Sequence, residues 1–574
     1  MLSTTPQARQ FTSSEPVALN EHRLHDESFF RFTRGRFLTN EAHELAQRYV
    51  RFNVDELANV AVRAAEAASN APRACISVGK LGDGMHNKVM RFTMDNGFQV
   101  VGKVPNPNAG LPHFTTASEV ATMDFMRNVL GTPVPKVLAW SSSTDNPVAA
   151  EYILMENPRG IQLSEIWDSL GNEVKFQVLE KVAYYQDLWS QARFPQYGSL
   201  YYRSDLRQAS SSLRYMNKHG KYVVDCRFAV GPGAGRQSTK DGRAKLDFFR
   251  GPWETARDYE RAIGSREAFC VRNTEQLPPS PFAIHYSRTY FPSRQAKLFA
   301  ARSYLKVVDY LLPEDEEIAA SCLWHGDLRT ENIFVNPEDP SEIFDFVDWQ
   351  STELAPLYQH TIEPSMLQYN GPRLEGLLDR PNHAAIKSLF KDEGEAVATR
   401  KANSLFISMA LLALYRHLLH TNMPRLFKAL EFRQTTCFDL LSLARRFLVD
   451  GEVTYLELLA KQQAQNWTDI PRISRTGQRA PLRLSQESLE MTERDAEGAA
   501  AARQLMRDLK RSIGTRYFLN RGFVSHAEYA ELERILPGIR NKFVRTLARS
   551  AKEKAELANA WPFDIPARGT DKHS

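Results

Sequence analysis

The run His325-Gly326-Asp327-Leu328-Arg329-Thr330-Glu331-Asn332 places an aspartate five residues before an asparagine, with the apolar Ile333–Val335 behind them. An aspartate in such a loop can orient an acceptor hydroxyl and receive its proton, and the asparagine can offer a carbonyl oxygen to a metal. A second apolar run ends in Asp345-Phe346-Val347-Asp348-Trp349-Gln350, so Asp348 lies 16 residues beyond Asn332. That separation suits two strands of a hairpin turning through Pro337 to Pro340. The Asp348 carboxylate would suit Mg2+ between phosphates, because a hard cation takes oxygen ligands. The bland alternative is a polar loop and hairpin; the joint spacing of Asp327, Asn332 and Asp348 speaks against it.

Lys103 sits in Val100-Val101-Gly102-Lys103-Val104. An amine in so apolar a strand needs a partner, since burying an unpaired charge is costly. Glu119, on a following helical segment with Val120, Met123 and Val129, can hold it and present it to two phosphates. An exposed lysine at a strand edge is the alternative. Gly82 and Gly84, in Val78-Gly79-Lys80-Leu81-Gly82-Asp83-Gly84-Met85-His86-Asn87, permit a tight turn whose N–H groups approach phosphate oxygens. The spacing is neither a Walker A sequence nor a dinucleotide fingerprint, and an ordinary hairpin turn explains it as well.

The elements that must position these residues can be read from periodicity. A helix is predicted from Thr39, capped by Asn40, with Leu45, Tyr49 and Phe52 at helical spacing, and a second over Val54–Ala68. Strands follow at Cys75–Val78, Lys88–Thr93 and Phe98–Val104, the last two joined by Asp95-Asn96-Gly97. A helix over Thr115–Leu130 and strands at Lys136–Trp140 and Glu151–Met155 complete a small antiparallel lobe. Gln162–Phe194 and 291–311 read as helical, 216–254 as a glycine-rich loop or hairpin insertion, and 381–465 as several amphipathic helices. The charged tail over 485–556 reads as helical, with Ser525 and Glu528 as a capping box.

Together these residues resemble the protein-kinase-like phosphotransferases, especially the aminoglycoside and choline kinase-like families, over roughly residues 75–420. The specific part is His325-Gly326-Asp327 followed by Asn332 and Asp348; the glycine loop is less so. The resemblance implies an α+β, bilobal protein-kinase-like fold with a small antiparallel-sheet N-lobe, a mainly helical C-lobe and a helical C-terminal extension. It implies ATP and Mg2+ as cofactors, Asp327 as the catalytic aspartate and Asn332 and Asp348 as metal ligands. Lys103 and Glu119 look like the phosphate-positioning pair, and Gly82, Gly84 and Asn87 match the glycine loop. Met155-Glu156-Asn157-Pro158 resembles the interlobe hinge, where backbone of Glu156 or Asn157 would pair with adenine. His325 is expected to support the loop backbone, since no neighbouring Cys/His set completes a zinc site. More finely, Phe29-Phe30-Arg31-Phe32-Thr33-Arg34-Gly35-Arg36-Phe37, Phe52-Asn53-Val54-Asp55-Glu56-Leu57, Tyr197-Gly198-Ser199-Leu200 and Gly251-Pro252-Trp253 resemble the fungal altered-inheritance-of-mitochondria group. That resemblance implies a mitochondrial location, with the cytoplasm as the alternative.

The expected layout is a leader or transit segment at 1–27, a helical extension at 28–70, an N-lobe at 71–156, a C-lobe at 157–465 with an insertion near 216–275, and a helical extension at 466–574. The expected activity is transfer of the γ phosphate to a hydroxyl of a small molecule. An atypical protein kinase or a nucleotide-binding pseudokinase is the alternative. Over 574 residues, 73 Lys+Arg against 68 Asp+Glu leave only +5, too thin for a nucleic-acid grip. Five scattered cysteines form no CxxC pair and read as reduced thiols. The apolar Leu405–Tyr415 run is too short to span a bilayer and reads as a buried helix.

Overall fold

The computed structural model describes residues 17–18, 26–66, 71–207, 211–372, 374, 376–475, 480–514 and 522–564. Most of the leader expected at 1–27, and Arg516 of a basic run in the tail, lie outside them. Six strands form one wholly antiparallel sheet: β1 (Val17–Ala18), β2 (Cys75–Asp83), β3 (Asn87–Met94), β4 (Gln99–Pro105), β5 (Val137–Ser141) and β6 (Tyr152–Glu156). Their order is β1-β2-β3-β4-β6-β5, which puts the strand bearing Lys103 in the interior. Gly102 is required there, because a Cβ would stand 2.7 Å from the Phe92 ring on β3. Helix α1 (Val54–Glu66) covers the sheet through Leu57 and Ala61, which join Phe30, Phe52, Phe92 and Leu154 in the N-lobe core.

Helix α2 (Phe114–Asp124) is buried from Thr115 to Met123, so it shows little amphipathic contrast. It ends in a π turn over Phe125–Val129. Its Val120 and Met123 belong to the larger core of the helical C-lobe, with Trp189, Trp324, Trp349 and Tyr304. That lobe is built from α3 (Asn172–Gln191), α4 (Ala256–Asn273), α5 (Arg294–Leu311), α6 (Glu395–Asn422), α7 (Pro424–Phe432), α8 (Thr436–Ala444) and α9 (Glu452–Ala464). By length and composition α6 could cross a membrane. In the fold it packs on α3 and carries Arg416 against Glu363 at 2.5 Å; Leu411, Leu412 and Tyr415 are buried while Leu414 is exposed, so the expected buried helix is buried on one face only. The expected bilobal α+β fold is therefore present.

The tail forms α10 (Gln486–Ile513), α11 (His526–Leu547) and α12 (Ala551–Asn559). It spans both lobes. Helix α10 packs on α9, and Ile284 N–H donates to Ala502 at 3.1 Å. At its other end, Phe523–Val524 pairs antiparallel with Arg36–Phe37, and Leu38 N–H donates to Gly522 at 2.9 Å.

Several expectations change. The helix from Thr39 is only Glu41–Ala46, and Asn40 takes a left-handed conformation without capping it. Asp564 performs that task, its carboxylate accepting from the N–H groups of Asn40 and Glu41 at 2.8 Å each. The extension at 28–70 is thus only partly helical, because Arg36–Phe37 is held as a strand by the tail. Gly82 does not form a turn: β2 runs through it at a bulge, φ +116°, and the turn lies at 84–86. The helix expected over Gln162–Phe194 breaks into Leu163–Ile166, a 3-10 turn and α3. The region expected as insertion contains a hairpin (Leu213–Met216 with Tyr222–Asp225), a strand Phe228–Gly231 paired to Ser199–Tyr202, and α4.

Candidate active site

Lys103 is the junction of the site. Its Nζ donates to Glu119 Oε1 at 2.6 Å and to Asp348 Oδ1 at 2.7 Å, joining β4, α2 and the segment after the Ile333–Val335/Ile343–Phe346 hairpin. The Lys103 and Glu119 side chains are buried and Asp348 is 28% exposed. Burial alone would push the Asp348 carboxyl up, but the Lys103 ammonium and its hydrogen bond overturn this and hold it well below the ordinary range. Burial raises the Glu119 carboxyl; Lys103 opposes that and the Asp348 charge adds to it. Burial acts to lower the Lys103 ammonium, and its two carboxylates outweigh burial and raise it. Asp348 has φ +64°, a left-handed conformation that aspartate tolerates better than most residues.

The loop carrying Asp327 is tied to the same segment. Val347 N–H donates to Asn332 C=O at 3.0 Å, and the Asn332 side-chain amide donates to the Asp327 carbonyl at 2.8 Å. This leaves the Asn332 side-chain oxygen as the end suited to a cation. His325 Nε2 lies 2.9 Å from Val347 C=O, and Asp327 N–H donates to His325 Nδ1 at 3.2 Å. A carbonyl only accepts and an N–H only donates, so His325 is the neutral Nε2–H tautomer. Burial lowers its basicity in the same sense. Its ring lies 4.6 Å from that of Trp349, which packs on Trp189.

The glycine turn is pinned from both sides. Gly84 N–H donates to Asn87 C=O at 3.0 Å, which commits it within the turn. The Asn87 side-chain amide donates to Gln350 at 2.9 Å, bridging the turn to the residues after Asp348. Beneath it, buried Asp83 pairs with Lys80 at 2.8 Å and Lys88 at 3.0 Å, and accepts from Thr33 N–H at 2.6 Å. Gly82 precedes Asp83 in β2 and pairs with Val89. At the expected hinge, Glu156 N–H donates to Lys136 C=O at 2.9 Å, which leaves Asn157 as the better candidate donor to adenine.

Asp327, Asn332, Asp348, Lys103 and Glu119 are thus joined through direct contacts and the 325–348 backbone network. Glu156 and Asn157 lie at the end of β6, which pairs with β4. Three residues were not singled out from sequence: Gln350, Arg329, which pairs with Asp327 at 3.0 Å, and Arg236, whose charge acts on Asp348. Arg329 and Gln350 stand beside motif residues, a signal that was there to read. Among the described residues no group of three or more His, Cys, Asp or Glu is arranged for a metal. An Asn–Asp pair completed by phosphate oxygens and water fits Mg2+, which keeps several waters.

No protein-family model matches the chain. A subtelomeric hrmA-associated cluster protein of Aspergillus fumigatus is 31% identical over 333 residues, 53% of this chain and 63% of that protein, so the match spans less than two thirds of that relative. The mitochondrial altered inheritance of mitochondria protein 9 of Yarrowia lipolytica is 26% identical over 85% of this chain and 86% of its own, and that of Candida dubliniensis 23% over 76% of each. An aminoglycoside 2″-phosphotransferase solved with streptomycin and ATP shares 13% identity over 70% of this chain and all of that one, with a TM-score of 0.31. At that level the fold rests on the chain's own elements. Over most of its length, then, the chain is similar to the fungal altered inheritance of mitochondria protein 9 group, the resemblance that its own motifs carry.

Proposed function

We propose that the protein is an ATP- and Mg2+-dependent phosphotransferase acting on a hydroxyl of a small molecule. The observation that carries this reading is Lys103 held at 2.6 and 2.7 Å between Glu119 and Asp348, with Asp327 and Asn332 tied to the same segment. Lys103, fixed by Glu119, would contact phosphate oxygens. Asp327 would orient the acceptor hydroxyl and take its proton as the oxygen attacks the terminal phosphorus. Asn332 and Asp348 would hold Mg2+, which supplies charge neutralisation between phosphates when bound. His325 would keep the Asp327 backbone in register with Asp348.

The acceptor has room beside this loop. A cavity of about 1140 Å3 is lined by Glu363, Ser365, Tyr369, Asp379, Arg416 and Glu431, and Ser365 N–H donates to Leu328, the residue after Asp327. The lining also includes Leu367, Leu374, Leu377 and Phe427, so it suits a small molecule with both polar and apolar parts. A mitochondrial location is proposed with the activity, on the strength of relatives whose names place them there.

Incubation of purified protein with ATP, Mg2+ and a metabolite extract, followed by untargeted mass spectrometry, tests the reading. A phosphorylated product should appear with wild type and fall roughly 100- to 10,000-fold in rate with Asp327→Asn. A product formed equally by both proteins would remove Asp327 from the mechanism; labelled protein in place of metabolite would move the acceptor class.

A further inference from the structure

The strand Phe228–Gly231 pairs with Ser199–Tyr202, and the second of these strands packs against α2, which carries Glu119. The chain then runs Gly231-Pro232-Gly233-Ala234-Gly235-Arg236. Ala234 N–H donates to Ser199 Oγ at 3.0 Å, and that hydroxyl donates to Thr352 C=O at 3.0 Å. Gly235 N–H donates to Glu353 Oε1 at 3.1 Å, and a Cβ on Gly235 would overlap that carboxylate. The glycines therefore let this backbone lie directly on residues 352–353, just beyond Asp348. The far side of the segment is held by Arg243, which forks onto buried Glu267 at 3.1 and 2.7 Å.

Between these anchors a 3-10 turn over Arg236–Ser238 carries the arginine. Its Nε is buried with no hydrogen-bond partner. Its charge reaches three groups of the site. On His86, at the glycine turn, burial and then Arg236 drive the imidazole down to about 2; on Asp348 and Glu119 it acts behind burial and Lys103. Both carboxylates are already engaged by Lys103. The side chain as a whole is only partly buried, so its outer nitrogens stay open to a partner, and the one that suits a planar fork is an anion with several oxygens.

We infer that Arg236 is a binding residue for the outer phosphates of a nucleoside triphosphate, reaching the site from outside the strand that carries Lys103 and the segments that carry Asp327 and Asp348. The inference rests on the phosphotransferase reading. It adds a second positive group to Lys103, on a segment whose backbone lies against Glu353, where charge must be gathered before transfer.

Calorimetric titration of ATP, ADP and AMP, each with Mg2+, into full-length wild type, Arg236→Gln and Arg236→Lys tests it. Wild type should favour ATP over AMP. Arg236→Gln should lose roughly 10- to 100-fold in ATP affinity and leave AMP unchanged, as expected for loss of a charge-assisted contact to phosphate. Arg236→Lys should fall between, because an amine keeps the charge without the fork. Melting of the unliganded variants should match or exceed wild type, since Arg236 Nε is a buried donor with no protein partner to lose. A wild-type ATP-to-AMP ratio in Arg236→Gln would overturn the inference and leave the phosphotransferase reading standing. Wild type that binds no nucleotide would overturn both.

Discussion

Lys103 is charged inside the protein, and its cost is met by two carboxylates that would themselves be costly without it. Such a group behaves as a unit, so single substitutions should not add. Lys103→Met strands Glu119 and should destabilise by about 3–5 kcal/mol. In a double variant that also carries Glu119→Gln, about 1–3 kcal/mol should return. Urea unfolding of the four proteins measures this; strict additivity would show that the pair is not a unit. The imidazoles give a pH signature. Burial pushes His360 down to about 4, while its Nε2 lies 3.0 Å from Cys322 C=O. Its stability contribution is full above the ordinary histidine value near 6.5 and is lost as pH falls toward 4, because only the unfolded chain takes up the proton. The fall in melting temperature from pH 7.5 to 5 should be smaller in His360→Asn, with opposing carboxyls such as Glu353 common to both proteins. An identical fall would remove His360 as its source. At this scale the pairing of Lys103 with Glu119 and the closeness of Asp327 to Asn332 were legible at short spacing, while the Lys103–Asp348 contact joins residues 245 apart. Arg236 was not legible, because its place depends on a close backbone approach 112 residues before Asp348.

The elements were legible where one face is apolar and the other wet. The β3–β4 hairpin turns at Asp95-Asn96-Gly97 as its sequence requires, and Gly97 has φ +82°. Helix α4 was missed for the opposite reason. Its inner face buries Glu260, Arg266 and Glu267 among Tyr259, Ile263 and Val271, so charge interrupts the apolar stripe that would announce a helix. Those charges are matched by residues distant in sequence: Arg445 reaches Glu260 at 2.7 Å and Arg243 reaches Glu267. The tail shows the local case. Ser525 accepts from Glu528 N–H while the Glu528 side chain accepts from Ser525 N–H, a complete capping box at α11. Ser525→Ala should cost about 1 kcal/mol, read as a shift in denaturation midpoint at constant slope. No shift would mean that packing of α11, and not its cap, sets its start.

The whole molecule is one bilobal unit strapped by its own tail. One end of the strap lies on α9; the other pairs with Arg36–Phe37, and His526 Nε2 meets Thr33 C=O at 3.1 Å. Thr33 in turn holds Asp83 beneath the glycine turn, so the strap reaches the floor of the site. Removing residues 486–564 should therefore speed limited proteolysis within 26–46 while 71–475 stays resistant. Cleavage there at the wild-type rate would show that the strap is an appendage. A net charge of only +5 over 574 residues fits the proposed function, since the phosphate binding proposed would need only the local cluster around Lys103 and Arg236.

Asn40 and Asp564, which meet at 2.8 Å, are 524 residues apart in the chain. A ribosome adding about 5–20 residues per second needs roughly half a minute to nearly two minutes to make that span. For most of that time Phe32 and Phe37 wait for Phe523, against which they pack in the finished fold. Synthesis thus leaves an aromatic, arginine-rich segment open while the residues that cover it are still to be made, the kind of sequence that holding chaperones occupy until α11 and its preceding strand arrive.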